Sequence, residues 1–453
     1  MNIIIIGCGK IGLALAEQLN NEGHNITLID KNEAILQNAA TKLDVMGIGG
    51  NGAMNGVLSE AGIESCDVLI ATTGSDEVNM LCCLLAKKTK DIQTIARIRN
   101  PEYEDEIRYL QEQTGVSMVI NPERMVAHEI LRLMRFPAAS EIETFGKGLV
   151  DMIHIRLSGN SPLCGIRLRD LPKTIPAPVL ISMIERKGEV IIPSGNTELF
   201  ENDEISFISR PSDAVRFCKL CKIEYAAARN AFVVGGGRIA YYLGRYNKDS
   251  RTKCQFKIIE NNLERANTLA ENFDDFTVIH GDGASKQLLI EEGIEHCDAF
   301  VAITGFDEQN IMMSLSANKL SKARMIAKVN RLDPEDVESV VPFCSIVSPK
   351  VVTTNSVVRY VRALESSRDS DFETLYSLAG GKAEAVEFTV KSDPHLVNIP
   401  FSKLQLKKDI LIAAIIRGSR IISPGGSDFM KEGDSVVIIS TVKRMHDLRD
   451  ILQ

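Results

Sequence analysis

Residues Ala61–Met80 read AGIESCDVLIATTGSDEVNM, and residues Glu292–Ile311 read EGIEHCDAFVAITGFDEQNI. Eleven of the twenty positions are identical, without a gap, at a constant offset of 231 residues. The same offset joins Gly50-Asn51-Gly52-Ala53 to Gly281-Asp282-Gly283-Ala284, and Ala96-Arg97-Ile98 to Ala327-Lys328-Val329. It also joins Pro193 to Pro424 and Asp203 to Asp434. Near the front, Gly7-Cys8-Gly9-Lys10-Ile11-Gly12 pairs with Gly235-Gly236-Gly237-Arg238-Ile239-Ala240 at an offset of 228. Solenoid and propeller repeats have periods of roughly 20–50 residues, so this is instead a tandem duplication of a whole multi-domain unit.

Each unit changes character midway. The apolar runs Ile3–Ile6, Ile26–Ile29, Val68–Thr72 and Thr94–Ile98 read as buried parallel strands. Helical stretches such as Ile11–Asn20 and Val78–Lys87 lie between them, which predicts an open parallel sheet with helices on both faces. An apolar helix, Glu123–Arg135, then ends at Phe136-Pro137, and its counterpart spans Lys350–Leu364. Beyond it come Val179–Glu185, a Lys187-Gly188 turn, Val190–Ile192 and Ile205–Ser209. These are echoed by Ile410–Ile416, Arg417-Gly418, Ile421-Ile422 and Ser435–Ser440. That pattern is a small hairpin-rich sheet. The expected fold is α/β: two tandem copies of a doubly wound Rossmann domain, each followed by a small α+β domain. The expected boundaries are 1–122, 140–224, 229–349 and 370–453.

Composition narrows the function. The 453 residues are 44% hydrophobic and 25% charged, which supports real cores rather than a disordered chain. Sixty acidic against fifty-two basic side chains leave a net charge of −8, the wrong sign for a phosphate-backbone binder. Aromatics are 5% and Trp is absent, so single-stranded nucleic acid finds no stacking platform. Ten scattered cysteines fit a reducing cytosol rather than a disulfide framework. No apolar run reaches the roughly 18 residues of a membrane-spanning helix, and the N-terminus lacks the basic region of a signal peptide. The expectation is a cytoplasmic protein that reaches any membrane through a partner.

Gly7-x-Gly9-x-x-Gly12 follows a four-isoleucine strand and opens a helix, the setting in which a glycine turn holds a pyrophosphate. The helix N-terminus supplies unpaired N–H groups and partial positive charge. Asp30 ends the second apolar run, where a carboxylate bonds ribose hydroxyls and repels a 2′-phosphate, favouring NAD or adenosine over NADP. Copy two repeats this with Gly235-Gly236-Gly237 and Glu260, and Ala240 is the tolerated variant of the third glycine. The candidate contacts in copy one are Gly7, Cys8, Gly9, Lys10, Ile11, Asp30, Lys31, Asn51, Gly52, Thr73, Gly74 and Arg97. Those in copy two are Gly235, Gly236, Gly237, Arg238, Ile239, Glu260, Asp282, Gly283, Thr304, Gly305 and Lys328. Asn51 and Asp282 belong to loops at the height of an adenine ring. Thr73 and Thr304 close the fourth strand, and Arg97 and Lys328 bring a charge within reach of a phosphate.

Other features read as structural. Asp76-Glu77 and Asp307-Glu308 occupy first helical turns, where carboxylates offset the helix dipole. Cys218-x-x-Cys221 lies on the apolar face of a linker helix, and Cys66 and Cys297 are small core residues. The histidines (24, 128, 154, 280, 296, 395 and 446) form no spaced cluster, and no metal site is expected. Without a GxxxxGK[ST] motif, a nucleotide is expected to be bound rather than hydrolysed. Glu201-Asn202-Asp203-Glu204 reads as an exposed turn. The rival reading is an NAD-dependent dehydrogenase with the small domains as substrate caps, yet no acid–base group stands out near Thr73 or Thr304. A third treats the small domains as sensors of another metabolite or cyclic dinucleotide.

The glycine turn, the acidic residue ending the second strand, Thr73–Met80, Ala96–Arg99 and a following hairpin domain together resemble the regulator-of-potassium-conductance family, RCK or KTN. Its members are the nucleotide-gated domains of bacterial potassium channels and transporters. The resemblance covers essentially the whole chain. It implies a non-enzymatic regulatory subunit, peripherally attached to the inner face of the cell membrane, whose shape is set by NAD(H), ATP or ADP. It also implies a potassium transporter partner of the TrkH/TrkG type and a homo-oligomer, a tetrameric ring of eight RCK units. Asn51 stands where the family often carries His or Asp, and Glu260 departs from Asp30. The two sites are therefore expected to differ in ligand.

Overall fold

Four consecutive isoleucines, Ile3–Ile6, form the middle of a six-stranded parallel sheet and are at most 2% exposed. β-Branched side chains suit a strand covered on both faces. The structure is a computed structural model. It describes residues 1–135, 139–146, 149–223, 227–249, 253–366, 372–379, 381–418, 420–441, 445 and 447–452. The expected helix end at Phe136-Pro137 and His446 lie outside the described residues.

The first sheet contains β1 (Asn2–Ile6), β2 (Asn25–Asp30), β3 (Met46–Gly49), β4 (Val68–Ala71), β5 (Gln93–Arg97) and β6 (Met118–Ile120). Its order is β3-β2-β1-β4-β5-β6, the doubly wound arrangement, with the crevice for ligands where the order reverses between β1 and β4. An antiparallel sheet follows, made of β7 (Ala139–Phe145), β8 (Val150–Arg156), β9 (Leu180–Arg186), β10 (Glu189–Ile191) and β11 (Glu204–Ser209). Its order is β10-β9-β11-β8-β7.

The second half repeats both sheets. Its parallel sheet comprises β12 (Asn230–Val234), β13 (Gln255–Glu260), β14 (Phe276–His280), β15 (Ala299–Ala302), β16 (Arg324–Lys328) and β17 (Cys344–Val347). These run in the order β14-β13-β12-β15-β16-β17. The last sheet holds β18 (Phe372–Leu378), β19 (Ala383–Thr389), β20 (Ile410–Arg417), β21 (Arg420–Ile422) and β22 (Ser435–Ser440), in the order β18-β19-β22-β20-β21.

The chain divides into two compact units that cut across the duplication. One joins the two Rossmann copies, residues 1–131 and 228–361. The copies are tied by Asn121 Nδ2 donating to Tyr242 Oη (2.8 Å), by Tyr360 Oη donating to Gln93 (2.9 Å), and by the Arg245–Asp105 ion pair. The other unit joins the two small domains, residues 132–227 and 362–453. There the sheets meet through Phe145, Val150 and Met152 of the first and Ala383, Ala385 and Val437 of the second.

Strands β7, β8, β18 and β19 are not announced by an apolar–polar alternation, and the shared core explains why. Every residue of β8 from Val150 to Ile155 is buried, because one face packs on its own domain and the other on the partner sheet. Polar residues within it are paired instead of exposed. His154 Nε2 lies 2.7 Å from Glu143 Oε2 and His154 Nδ1 lies 2.7 Å from Ser206 Oγ, while Thr144 donates to Asp151 at 3.0 Å.

The expected exposed turn at Glu201–Glu204 holds for Glu201 and Asn202 and is corrected at Asp203. Asp203 is 1% exposed and grips Arg186 through two 2.7 Å hydrogen bonds. Arg417 and Asp434 repeat the pair at 2.8 and 2.7 Å. Burial alone would raise the Asp203 carboxyl, but the Arg186 bonds and the Phe200 N–H outweigh it and hold the group below its ordinary value. Cys218 and Cys221 are core residues, and burial pushes their thiols up to about 11 and about 12.

Candidate nucleotide sites and the cleft between them

At the end of β1, Gly7 adopts φ +94°, and a Cβ there would lie 2.8 Å from the Thr73 nitrogen. A Cβ on Gly12 would lie 2.0 Å from the Gly7 carbonyl oxygen, so helix Lys10–Asn21 packs against the turn only with glycine. Gly9 has nothing within 4 Å of its Cβ position and caps that helix without a side-chain hydrogen bond. Its surroundings are therefore open, and the first-turn N–H groups face no side-chain acceptor at the cap. Gly235 repeats the left-handed turn at φ +112°, and Gly237 is equally open.

The carboxylates ending the second strands are held alike. Asp30 Oδ2 accepts from the Cys8 N–H at 2.7 Å and Oδ1 from Asn32 at 2.9 Å. Glu260 Oε2 accepts from the Gly236 N–H at 2.6 Å and Oε1 from Asn262 at 2.8 Å. Asn32 and Asn262 in turn cap the following helices. The extra methylene of Glu260 is accommodated by a compensating change at the turn. A Cβ on Gly236 would lie 3.0 Å from the Glu260 Cβ and Cγ and 2.8 Å from Leu269 Cδ1, whereas copy one carries Cys8 there beside the shorter Asp30. Both oxygens keep lone pairs for ribose hydroxyls.

The remaining candidates fall into place around the turns. Asn51 Oδ1 accepts from Ala53 N–H at 3.2 Å and Asp282 Oδ1 from Ala284 N–H at 2.9 Å, so both side chains brace their loops. Gly52 and Gly283 let those loops pass close to Ile6 and Val234, with Cβ positions 2.4 and 2.1 Å from their side chains. Lys31 is exposed. Thr73 donates to Asn79 Oδ1 at 2.7 Å, Asn79 donates to the Arg97 carbonyl at 2.8 Å, and the Arg97 guanidinium donates to the Thr73 carbonyl. Thr304, Asn310 and the Lys328 carbonyl reproduce the first two links at 2.7 and 2.9 Å. Gly74 and Gly305 are exposed beside these networks. Sequence reasoning missed Asn79 and Asn310, although both are identical within the aligned repeat.

Asp76 does more than offset a dipole. It is 8% exposed and accepts from the backbone of Arg99 and Asn100, both at 2.8 Å, fixing the chain after β5. Asp307 binds the backbone of Arg331 and Leu332 in the same way, at 2.6 and 3.2 Å.

The two sites share a cleft. A cavity of about 260 Å³ lies between the Rossmann copies, lined by Lys10, Ile11, Arg97, Arg99, Pro122 and Glu123 of the first. Ile239, Lys328, Asn330, Pro349 and Lys350 of the second complete it. Most of these residues hold equivalent positions in the two copies: Ile11 with Ile239, Arg97 with Lys328, Arg99 with Asn330, Pro122 with Pro349, and Glu123 with Lys350. Glu123 Oε1 lies 3.8 Å from Arg99 and 3.9 Å from Arg238. Burial lowers the Arg97 guanidinium to about 10 and also lowers the Lys328 ammonium. Among the described residues, no three His, Cys, Asp or Glu side chains are grouped to hold a metal. No described helix is long and apolar enough to cross a membrane.

Paired Rossmann domains with matching glycine turns, each followed by a small antiparallel domain, define a protein built from two tandem TrkA-N/TrkA-C units. The TrkA-N domain model matches residues 3–122 and 231–349, and the TrkA-C domain model matches residues 152–222 and 385–453. The chain belongs to the TrkA family. It is 32% identical to Trk system potassium uptake protein TrkA homolog 1 of Methanosarcina mazei over 97% of both chains. It is also 32% identical to Trk system potassium uptake protein TrkA of Halomonas elongata, over 100% of this chain and 98% of that one. Among solved structures, the GsuK RCK domain superposes with a TM-score of 0.62 at 18% identity, covering 98% of this chain and 92% of the other. The GsuK channel bound to NAD gives 0.61 at 19% identity, covering 98% and 77%. These two likenesses are of fold.

Proposed function

We propose that this chain is the nucleotide-binding regulatory subunit of a potassium-uptake system and performs no catalysis of its own. Its relatives carry the name of Trk potassium uptake proteins, and the NAD-bound GsuK channel is built on the same fold. The observation that carries the reading is the twin carboxylate clamp: Asp30 and Glu260, each fixed by the backbone of its own glycine turn. A carboxylate held there recognises the ribose of NAD(H), ATP or ADP, and the open Gly9 and Gly237 admit the phosphates. The residues named above for each copy are the proposed contacts, with Arg97 and Lys328 nearest the terminal phosphates.

The proposed partner is a membrane potassium transporter subunit of the TrkH/TrkG type, met at the cytoplasmic face by a ring of chains. A nucleotide shifts such a gate only by its different affinity for the two states. The test has two parts. Calorimetric titration of Asp30→Ala and Glu260→Ala should each remove one class of nucleotide site, and unchanged isotherms for both refute the site assignment. Potassium flux through the co-purified transporter should change with ATP, ADP, NAD or NADH, and flux indifferent to all four refutes the regulatory reading.

A further inference from the structure

Helix Arg238–Asp249 opens at the second glycine turn, and one turn into it the chain is bolted to the other copy. Tyr242 is 1% exposed; its hydroxyl accepts from Asn121 Nδ2 at 2.8 Å and donates to Glu104 Oε2 at 3.3 Å. Glu104 Oε1 accepts in turn from Arg124 at 3.1 Å, and Arg245 pairs with Asp105. Tyr246 meets the His128 ring edge to face, with centroids 5.6 Å apart. Residues 242, 245 and 246 have the i, i+3, i+4 spacing of a single helix face, so that face is committed to copy one.

The anchor on the far side is the segment after β5. Asp76 holds the backbone of Arg99 and Asn100, both at 2.8 Å, and Glu104 and Asp105 follow directly on that fixed stretch. Asp76 itself starts helix Asp76–Thr89, next to Thr73 and Gly74 of the first site. A short run of chain, pinned at both ends, therefore connects the first site to the helix that opens the second.

Only one side of the joint is built this way. The positions equivalent to Asn121, Arg124 and His128, counted from the prolines at 122 and 349, are Ser348, Val351 and Asn355. Those equivalent to Tyr242, Arg245 and Tyr246, counted from the glycine turns, are Ala14, Glu17 and Gln18. Alanine and valine side chains cannot repeat the hydrogen bonds, and Glu17 reverses the charge of Arg245. Val351 is 39% exposed, and Ser348 Oγ is buried without a hydrogen-bond partner. An orphaned hydroxyl thus stands where Asn121 finds Tyr242 in the other copy.

We propose that Tyr242 and Arg245 are positioning residues. They hold the helix that opens the second nucleotide site to the segment fixed at the first, so that occupancy of either site is felt at the other through this side of the joint alone. The role rests on the nucleotide-binding reading above. Linkage makes the effect reciprocal, so the one-sided bolts decide which residues carry the coupling and not a direction of flow.

The test compares the full chain with Tyr242→Phe/Arg245→Gln, which removes the hydroxyl and the charge and keeps the bulk. Calorimetric titration with ATP, ADP and NAD reads each site, and Asp30→Ala empties the first. In the unaltered background Asp30→Ala should change the affinity left at the second site by about fivefold or more, the lower end of ordinary coupling. In the Tyr242→Phe/Arg245→Gln background both sites should still bind, and Asp30→Ala should leave the second one unchanged. Asp105→Arg/Arg245→Asp reverses the ion pair and keeps it, and should couple like the parent. Amide hydrogen exchange on the unliganded chain gives a readout without nucleotide. The Tyr242→Phe/Arg245→Gln chain should lose protection at residues 99–107 and 235–242 together and keep it at the equivalent helix start, residues 9–14. Binding without coupling in the parent, coupling that survives in Tyr242→Phe/Arg245→Gln, or exchange that rises at neither stretch or equally at 9–14 each overturn the proposal. If the unaltered chain binds none of the three nucleotides, the regulatory reading falls, and the bolts stand or fall on the exchange pattern.

Discussion

Replacing Gly236 by Cys gives copy two the residue that copy one carries as Cys8. The new Cβ would lie 2.8 Å from Leu269 Cδ1 and 3.0 Å from Glu260 Cβ and Cγ. Leu269 and Glu260 are 4% and 5% exposed, so neither can swing into solvent to make room. Overpacking of this kind costs about 1–3 kcal/mol. Copy one tolerates Cys8, which is 1% exposed, because its carboxylate is shorter and its second helix is slimmer. Ala39 stands seven residues beyond the capping Asn32, at the place where Leu269 follows Asn262. The Gly236→Cys chain should therefore be destabilised and lose copy-two nucleotide affinity as Glu260 is pushed off its clamp. The triple variant G236C/E260D/L269A should recover most of both, with a coupling of about 1–2 kcal/mol between the sites. Urea unfolding followed by circular dichroism reads the first quantity, and nucleotide titration reads the second. A Gly236→Cys chain as stable and as tightly binding as its parent, or a triple variant no better than the single one, refutes the compensation.

Gly12→Ala should weaken nucleotide binding at copy one by about tenfold, or about 1.4 kcal/mol, because its Cβ meets the Gly7 carbonyl at 2.0 Å. Titration should show copy two unaffected, since Ala240 already occupies that position there. Asp203→Ala leaves Arg186 facing a void and should cost about 2–3 kcal/mol, below the range for fully buried pairs because the Arg186 side chain is 29% exposed. The Asp203 carboxyl is held below its unfolded value, so its stabilisation is complete above that value and vanishes as pH falls through the folded one. Acid unfolding of Asp203→Asn should accordingly begin from a lower plateau and fall less steeply. Lys328 is also shifted down, here because burial disfavours its charged form: the folded chain binds fewer protons than the unfolded one at alkaline pH, and stability from this group rises there. Urea unfolding of Lys328→Met, compared with the parent across neutral to alkaline pH, should lose that rise.

The parallel sheets were legible because their evidence is local. Ile3–Ile6 and Val68–Ala71 are short apolar runs bounded by glycine or threonine turns, and the aligned repeat vouches for each strand twice. The glycine turns and the carboxylates at Asp30 and Glu260 were legible for the same reason, since turn, strand end and helix cap lie within about thirty residues. The small domains were half legible. Hairpins β9–β10 and β20–β21 carry turn residues, but the second face of β8 is buried by a sheet more than two hundred residues away, and its Asp151 and His154 are buried with partners. Asp203 misled for a related reason: an Asn-Asp-Glu run reads as solvent unless Arg186, seventeen residues earlier, is known to reach it. The cleft was out of reach altogether. Arg97 and Lys328 were singled out as phosphate-facing charges, yet nothing local shows that they line one cavity with Glu123 and Lys350.

That last point bears on why a duplicated chain differs from a pair of identical ones. In a two-fold dimer every residue near the axis appears twice, so Glu123 would bring a second carboxylate and Arg99 a second arginine. Covalent duplication removes that constraint. Asn330 and Lys350 have taken the places that Arg99 and Glu123 would otherwise fill, and Phe306 has replaced the capping Ser75 at the start of the equivalent helix. Each exchange leaves the backbone scaffold intact: Asp76 and Asp307 still hold the chain after the fifth strand, and Thr73–Asn79 and Thr304–Asn310 still close the fourth. What changes is the charge presented to a ligand from each side. On the proposed reading, ligands at the two turns would approach one cleft from unequal walls. Coupling between sites is the difference such a shared cleft makes to each affinity. On the proposed reading, an asymmetric cleft would let the affinities of the two turns for their nucleotides be set separately.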